Sequence, residues 1–146
     1  MEELDTELLR ATARRLGNPS CAMRLEEIAR SVATVCELWR SRAYPPRHAA
    51  VTEIARAWSF SPALLDASFD ASLMPFTAAA IEACAKPGVC RLAGLILPGN
   101  VPGAGLHEVV LALIRGASVI IKTASAEPVF FRHFVKSLIE ADARLG

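Results

Sequence analysis

The sequence predicts an α/β fold in which a helical amino-terminal segment, residues 1–85, precedes a smaller α/β domain, residues 86–146. The first observation behind this prediction is that apolar residues recur every three or four positions through much of residues 1–85, which is the spacing of one helix face. The second is a pattern of strand, helix and strand over residues 92–122. A Lys-Pro-Gly sequence at residues 86–88 separates the two regions, because proline and glycine interrupt regular structure.

Five helices are predicted in the amino-terminal segment. The second has the strongest periodicity, and its apolar positions are Leu25, Ile28, Val32, Val35 and Trp39. Pro45 and Pro46 are expected to end that segment. Ser61 is a predicted N-cap with Pro62 at the first helical position of the fourth helix. The approximate ranges of the five helices are 2–16, 25–39, 51–58, 61–69 and 72–85.

The strand, helix and strand pattern is read from three consecutive stretches. An apolar run at residues 92–97 is too short for an ordinary helix and is followed by Pro-Gly-Asn, which favours a buried strand ending in a turn. Apolar residues at helical spacing follow, and Gly116 stands where the end of a helix favours a positive φ angle. The β-branched run at 118–121 is then a second strand. Strands joined through a helix should be parallel with a right-handed crossover.

A further helix is predicted over residues 127–145, with Ser125 as its cap. A parallel sheet of two strands leaves backbone groups unpaired on both edges, although both strand sequences are apolar enough to be buried on two faces. We therefore expect elements outside this chain to cover the sheet, so that the α/β domain is incomplete. Ligands bind beyond the carboxyl ends of parallel strands, and the segments there are 98–105 and 122–128.

The composition excludes several classes of protein. The chain has 146 residues, 53% of them hydrophobic, and a mean hydropathy of +0.34, which indicates a folded domain. Its net charge of +1 gives no basic face for nucleic acid. The longest uncharged apolar stretch is interrupted by proline and glycine, and acidic residues follow Met1. Neither a membrane span nor a signal peptide is predicted.

The residues that most often bind metals or form disulfides show no characteristic spacing. The four cysteines lack a CxxC pair, and two lie in apolar helical patterns, so reduced and buried thiols of a cytoplasmic protein are expected. His48, His107 and His133 lack metal-ligand spacing, so no metal site is predicted. The glycines of residues 99–105 do not form a GxGxxG fingerprint and are interpreted as turn and packing residues.

Three motifs occur in order in the last part of the chain: PGNVPG after the first strand, ALIRG at the end of the helix, and SVIIKTASAEP through the second strand. Over roughly the last sixty residues, this order and spacing resemble the cofactor-binding domain of the aldehyde dehydrogenase superfamily. The GNVPG form of the turn is similar to that of the acyl-CoA and long-chain fatty acyl reductases of the bacterial bioluminescence type. The resemblance implies a Rossmann-type domain of which this chain holds the first βαβα unit.

The resemblance implies a catalytic role for Asn100. In the family, this asparagine and a backbone N–H at the nucleophilic cysteine form the oxyanion hole. An amide side chain has two N–H donors, which suits the binding of an oxyanion. The alternative is that residues 98–105 form only a tight turn, for which glycine and proline are ordinary choices.

The resemblance also implies that Pro98, Gly99, Lys122, Thr123 and Ser125 bind the cofactor, NADPH. In the family the lysine at the end of the strand hydrogen-bonds the adenosine ribose, although a lysine at a strand end is often only solvated. Many NAD-linked members carry a glutamate three residues after that lysine, where this chain has Ser125. A serine does not repel a 2′-phosphate and can donate a hydrogen bond to it, so NADPH is expected to be preferred over NADH.

Two features of the helix after Ser125 bear on this preference. Its amino terminus could face the phosphate, which would favour NADPH. Glu127, two residues further on, could instead place a negative charge in the site. The sequence leaves both arrangements open.

Together these roles imply the amino-terminal part of an NADPH-dependent acyl-CoA reductase that converts an acyl-CoA or acyl-protein thioester to an aldehyde. In the family a cysteine is first acylated, and hydride then reduces the acyl group. None of the four cysteines is in the position of that nucleophile, so the chain alone is expected to be inactive. The alternative is a non-catalytic binding or assembly module of the same fold, which forms an oligomer or pairs with a separate carboxyl-terminal chain.

Overall fold

The computed structural model describes residues 10, 11 and 14, 23–125 and 127–146. Its helices are α1 (Leu25–Arg40), α2 (Pro45–Ala57), α3 (Pro62–Leu73), α4 (Ala78–Cys84), α5 (Leu106–Ile114) and α6 (Val129–Ala141). Its strands are β1 (Leu92–Ile96) and β2 (Ser118–Lys122), and a 3-10 turn, Ala143–Leu145, follows α6. Within the helix predicted over 2–16, residues 10, 11 and 14 are helical, and the remainder lies outside the described residues.

The described part of the chain is mixed α/β, mostly helical, with a two-stranded parallel sheet. The strands pair in register from Leu92 opposite Ser118 to Ile96 opposite Lys122. Helix α5 connects them and packs on the sheet, as the predicted βαβ unit requires. Gly116 follows α5 with a φ angle of 81°, which confirms the predicted helix end. None of the described helices combines the length and the apolar character needed to cross a membrane.

Helix α1 contacts four of the other described helices. Its side chains Val32, Val35 and Trp39 are fully buried, which confirms the predicted apolar face. They pack against α3, α4, α5 and α6. The buried residues of α1, α5 and α6 belong to one hydrophobic cluster, so the amino-terminal helices and the βαβ unit share a core.

Aromatic rings form the part of this core that joins α1 to α6. The ring of Trp39 lies 5.2 Å from Phe130 and 5.4 Å from Phe134 of α6, and 6.1 Å from Phe69 of α3, between ring centroids. Pairs of this kind each stabilise a protein by about 0.5–1.5 kcal/mol beyond the burial of their area. The indole N–H donates to the hydroxyl of Ser137 at 3.0 Å, so the polar atom of the buried ring is satisfied.

A buried arginine joins α1, α2 and α3. Arg47 of α2 is fully buried, and its Nη2 lies 2.8 Å from a carboxylate oxygen of both Asp66 and Asp70 in α3. Its Nη1 donates to the carbonyl of Trp39 at 2.8 Å. Because loss of one member leaves buried charge and polar groups unpaired, breaking such a network typically costs about 3–5 kcal/mol.

The prolines after α1 act differently from the prediction. Helix α1 already ends at Arg40, and Pro45 and Pro46 are the first two residues of α2. Proline suits these positions because the first N–H groups of a helix have no partner within the helix. The N-cap predicted at Ser61 is confirmed, since its hydroxyl accepts a hydrogen bond from the backbone N–H of Leu64 at 3.2 Å.

The boundary between α3 and α4 also differs from the prediction. Helix α3 continues to Leu73, so a helix that begins at Ser72 is wrong. Pro75 lies in the turn between the helices, and α4 begins after Thr77, whose hydroxyl accepts from the N–H of Ala80 at 3.1 Å. Thr77 is therefore the N-cap that sets the start of α4. The sequence prediction instead placed Pro75 in the first turn of this helix.

The cysteines are only partly as expected. Cys36, Cys84 and Cys90 are free thiols. Cys36 is buried, and this burial raises the pKa of its thiol to about 12. Cys84 and Cys90 are exposed, so the expectation of buried thiols is wrong for them, and Cys21 lies outside the described residues.

The two faces of the sheet have different surroundings. Leu95 and Ile121 pack against the core on one side. Ile96, which points to the opposite face because successive strand residues alternate, is 86% exposed. The apolar sequences of both strands predict a sheet that is buried on both faces. In the described part of the chain, Ile96 on the second face is instead exposed to solvent.

Candidate functional site

The candidate site lies at the edge of the sheet where both strands end. The N–H of Leu97, directly after β1, donates to the carbonyl of Lys122, the last residue of β2, at 3.0 Å. Because the strands are parallel, the segments that follow them leave the sheet at the same edge. This is the edge where ligands bind in parallel sheets. The residues predicted to form the site, Pro98, Gly99, Asn100, Lys122, Thr123 and Ser125, all lie on these segments or at the end of β2.

The segment after β1, residues 98–105, is called the glycine loop below. It contains a tight turn in which the N–H of Ala104 donates to the carbonyl of Val101 at 3.0 Å. Gly103 and Gly105 have φ angles of 84° and 91°, in the left-handed region that glycine tolerates and other residues rarely adopt. This confirms that glycines of the loop serve as turn residues.

The base of the glycine loop is buried against α3 and α6. The hydroxyl of Ser68 in α3 donates to the carbonyl of Pro102 at 2.8 Å. A Cβ added at Gly103 would lie 3.1 Å from the hydroxyl of Ser72 and 3.6 Å from the ring of Phe130. Sequence reasoning missed Ser68, because it is 34 positions from its partner and a single serine in a helix forms no recognisable motif.

The exposed part of the glycine loop carries Asn100. Asparagine is common in turns for two structural reasons: it tolerates positive φ angles, and its side chain hydrogen-bonds the local backbone. Neither reason applies here. No non-glycine residue of the described chain has a positive φ angle, and the Asn100 side chain makes no hydrogen bond to a described residue. Its amide donors are thus without an acceptor among those residues.

The predicted cofactor-binding residues surround the same edge. Lys122 is exposed, and it forms no ion pair with any described residue. Ser125 and Pro98 are exposed, whereas Thr123 and Gly99 are partly buried. A cationic group and a hydroxyl are thus accessible beyond the end of β2.

Helix α6 begins differently from the prediction. Its N-cap is Pro128, and Oε1 of Glu127 accepts a hydrogen bond from the N–H of Phe130 at 2.9 Å. Ser125 lies three residues before the N-cap, so its predicted role as the cap is wrong. Glu127 is only 3% exposed, and this burial raises the pKa of its carboxyl group.

The structure shows where the carboxylate of Glu127 lies relative to the start of α6. Its carboxylate occupies the amino terminus of α6, so this helix end is not available to a phosphate. The same buried hydrogen bond keeps the acid away from the exposed Ser125. Glu127 is therefore part of the buried start of α6 and is not an exposed acid beside Ser125.

The histidines have structural partners or surface positions. The Nε2 atom of His133 lies 3.1 Å from Oε2 of Glu53, and Arg132 pairs with the same carboxylate, so α6 is tied to α2. Side-chain hydrogen bonds with Arg132 and then with His133 hold the pKa of the Glu53 carboxyl group below its usual range. His107 packs its ring 5.6 Å from that of Phe76. Within the described ranges, no three metal-ligating side chains come together.

Two surface grooves lie elsewhere on the molecule. One, of about 550 Å³, runs along α2 past His48, Glu53 and Arg56. The other, of about 330 Å³, lies between α1 and α6 and is lined in part by Tyr44. Neither is lined by the glycine loop or by Lys122. The candidate site is defined by the chemistry of the side chains at the carboxyl ends of the two strands.

A scan against models of known protein families finds no match to this chain, and a search of curated proteins finds no similar sequence. The resemblance to aldehyde dehydrogenases therefore stays a prediction from the sequence motifs.

Replacing Gly105 with alanine is expected to destabilise the protein. The φ angle of 91° disfavours a side chain, and a Cβ would lie 2.5 Å from Cδ2 of Leu97. We expect a loss of about 1–3 kcal/mol in the free energy of unfolding, measured by urea denaturation. Gly94 is the matched control, since a Cβ there meets nothing within 4 Å. Equal losses for Gly105→Ala and Gly94→Ala would contradict the role of Gly105 in the turn.

Glu127→Gln is expected to change how stability depends on pH. Burial raises the pKa of Glu127 above 4.5 in the folded protein, so the folded state binds the proton more tightly than the unfolded state. The contribution of Glu127 to stability is then greatest below pH 4.5 and is lost as the pH rises through the folded pKa. Glutamine retains an oxygen acceptor for Phe130 but does not titrate.

The measurement is the free energy of unfolding of both proteins between pH 4 and pH 7. The advantage of the wild type over Glu127→Gln should shrink as the pH rises. Glu140→Gln, at an exposed position of the same helix, is the control. A difference between wild type and Glu127→Gln that is constant with pH would show that Glu127 is not titrating in a buried environment.

Proposed function

We propose that this chain is the amino-terminal part of an NADPH-dependent acyl-CoA reductase, in which the two strands begin an aldehyde-dehydrogenase-like, Rossmann-type cofactor domain. The substrate is a fatty acyl thioester of coenzyme A or of a protein, and the product is an aldehyde. The observation that carries this proposal is the placement of Asn100 at the carboxyl edge of a parallel strand pair, with its amide unbonded to described residues.

The role proposed for Asn100 is to stabilise the charge that develops on the acyl oxygen. A cysteine thiolate supplied by other sequence attacks the thioester carbonyl, a new C–S bond forms, and coenzyme A leaves as its thiolate. NADPH, when bound, would supply the hydride that reduces the acyl carbon; the bond to the enzyme sulfur would then break, releasing the aldehyde and regenerating the thiolate. Both tetrahedral intermediates carry an oxyanion, and a fixed amide N–H donor next to it lowers both barriers.

Residues at the end of β2 and directly after it are proposed to hold the adenosine half of NADPH. The Lys122 ammonium donates to the ribose, and the Ser125 hydroxyl donates to the 2′-phosphate. Both side chains are exposed at the end of the strand. The preference for NADPH rests on the positive charge of Lys122 and on the burial of the neighbouring acid, Glu127, within the start of α6.

A second candidate function is supported by the open face of the sheet. Ile96 is 86% exposed there, and Val101 of the glycine loop is 47% exposed. An uncovered apolar surface of this kind is typical of a contact with another protein. The chain would then be a non-catalytic module that pairs with a separate chain, and Asn100 would have no role in chemistry.

Binding of the cofactor can be tested on this chain with adenosine 2′,5′-bisphosphate and isothermal calorimetry. Lys122→Ala and Ser125→Glu should each weaken binding by about tenfold or more, because a charge-assisted hydrogen bond is lost or a phosphate is repelled. Lys86→Ala is the matched control, since this exposed lysine precedes β1 and so lies at the opposite end of the strands. Equal effects of Lys122→Ala and Lys86→Ala would contradict the proposed site.

The catalytic proposal is tested by Asn100→Ala in the protein assembled with the segment that supplies the cysteine. The expected result is a fall in kcat on the order of a hundredfold with little change in KM, because the lost donor acts on charge that is present only along the reaction path. Thioester-dependent oxidation of NADPH is the assay. Activity of the present chain alone that survives Asn100→Ala would contradict the proposal, and an inactive assembly would favour the non-catalytic module.

A further inference from the structure

One side-chain hydrogen bond connects the glycine loop to α3. The hydroxyl of Ser68, a partly buried residue, donates to the carbonyl of Pro102 at 2.8 Å. The other hydrogen bonds described for the loop join main-chain groups within it or at the start of α5, among them those of Ala104 and Leu106. The other bonds are local, whereas the bond from Ser68 connects the loop to a helix of the amino-terminal segment.

The carbonyl of Pro102 needs this partner. Pro102 is buried, and a buried acceptor without a donor costs about 1–3 kcal/mol. The next residue is Gly103, with a φ angle of 84°, so the peptide unit between them has the rotational freedom of glycine on one side. The Ser68 hydroxyl fixes the orientation of that peptide unit. Asn100 lies two residues before Pro102 in the same loop, so we expect its position to depend on this orientation.

We propose that Ser68 is a positioning residue, which holds the glycine loop so that the amide of Asn100 is presented in a fixed place at the edge of the sheet. The inference rests on the proposed function, because a fixed position of the Asn100 amide affects catalysis only if the protein is a reductase. A preorganised donor requires no rearrangement when an oxyanion forms, and a displaced donor loses much of its effect. A helix of the amino-terminal segment, which carries no motif of its own, thereby contributes to the site.

The chain offers a matched control for this proposal. Ser72 is one helical turn after Ser68, and its hydroxyl lies 3.1 Å from the position of a Cβ at Gly103. It makes no hydrogen bond to any described residue. Ser72→Ala thus removes a hydroxyl of the same helix beside the same loop without breaking a bond. A difference between Ser68→Ala and Ser72→Ala isolates the hydrogen bond from the loss of volume.

The experiment is hydrogen exchange of single backbone amides, read by NMR. The N–H groups of Ala104 and Leu106 report on the loop, and that of Leu97, bonded to Lys122, reports on the strands. Ser68→Ala should accelerate exchange at the two loop amides by about tenfold and leave Leu97 unchanged, because the local opening of the loop becomes easier. Ser68→Thr should restore protection, and Ser72→Ala should behave like the wild type.

Several outcomes would overturn the proposal. They are unchanged exchange at Ala104 and Leu106 in Ser68→Ala, an equal increase at Leu97, and a failure of Ser68→Thr to restore protection. If Ser68→Ala does not fold, Ser68→Cys, which keeps the volume but donates weakly, takes its place. With the cysteine-bearing segment present, Ser68→Ala should lower kcat by about tenfold without raising KM. A changed KM alone would also overturn it.

Measuring the binding of adenosine 2′,5′-bisphosphate distinguishes a failure of this inference from a failure of the proposed function. Binding of adenosine 2′,5′-bisphosphate should be the same in Ser68→Ala as in the wild type, because the contacts proposed for it are made by Lys122 at the end of β2 and by Ser125 after it. If no variant binds this probe, the cofactor proposal fails, while the exchange result still decides whether Ser68 holds the loop. If the probe binds and Ser68→Ala does not alter the loop, the proposed function stands and the positioning role fails.

Discussion

The packing of Trp39 is the interaction on which the rest of the structure depends. Its ring is fully buried between α1 and α6, against Phe130 and Phe134. Its N–H donates to the hydroxyl of Ser137 of α6, so apolar contact and polar satisfaction together favour one orientation of the two helices. The ring of Phe130 also lies beside Gly103. The helix pair therefore sets the surface against which the glycine loop packs.

This arrangement places a functional candidate on a rigid support. The base of the glycine loop is held from α3 by Ser68 and from α6 by Phe130, while Asn100 at its exposed part has no partner among the described residues. Binding and catalytic groups are often found on loops that a packed scaffold positions. The amino-terminal helices thus have a direct structural connection to the candidate site, although their sequence carries no recognisable motif.

The uncovered face of the sheet links the two proposed functions. A residue such as Ile96, 86% exposed on a strand, gains stability of about 25 cal/mol for each Å² of apolar surface that another element buries. In either proposal other sequence would cover this face, as a further part of a reductase or as the partner of an assembly module. The two proposals differ in whether Asn100, beyond the carboxyl end of β1, acts on a reacting acyl group.

The sequence by itself determined the local elements: the apolar face of α1, the parallel βαβ unit and the positive φ angle of Gly116. These follow from spacing and turn preferences over a few neighbouring residues. It also predicted which side chains reach the carboxyl edge of the sheet. Only the tertiary structure decided that Glu127 rather than Ser125 caps α6, and that Ser68 holds Pro102. Several nearby side chains can compete for the same helix end, and partners far apart in sequence meet only through packing, so periodicity carries no information about either choice.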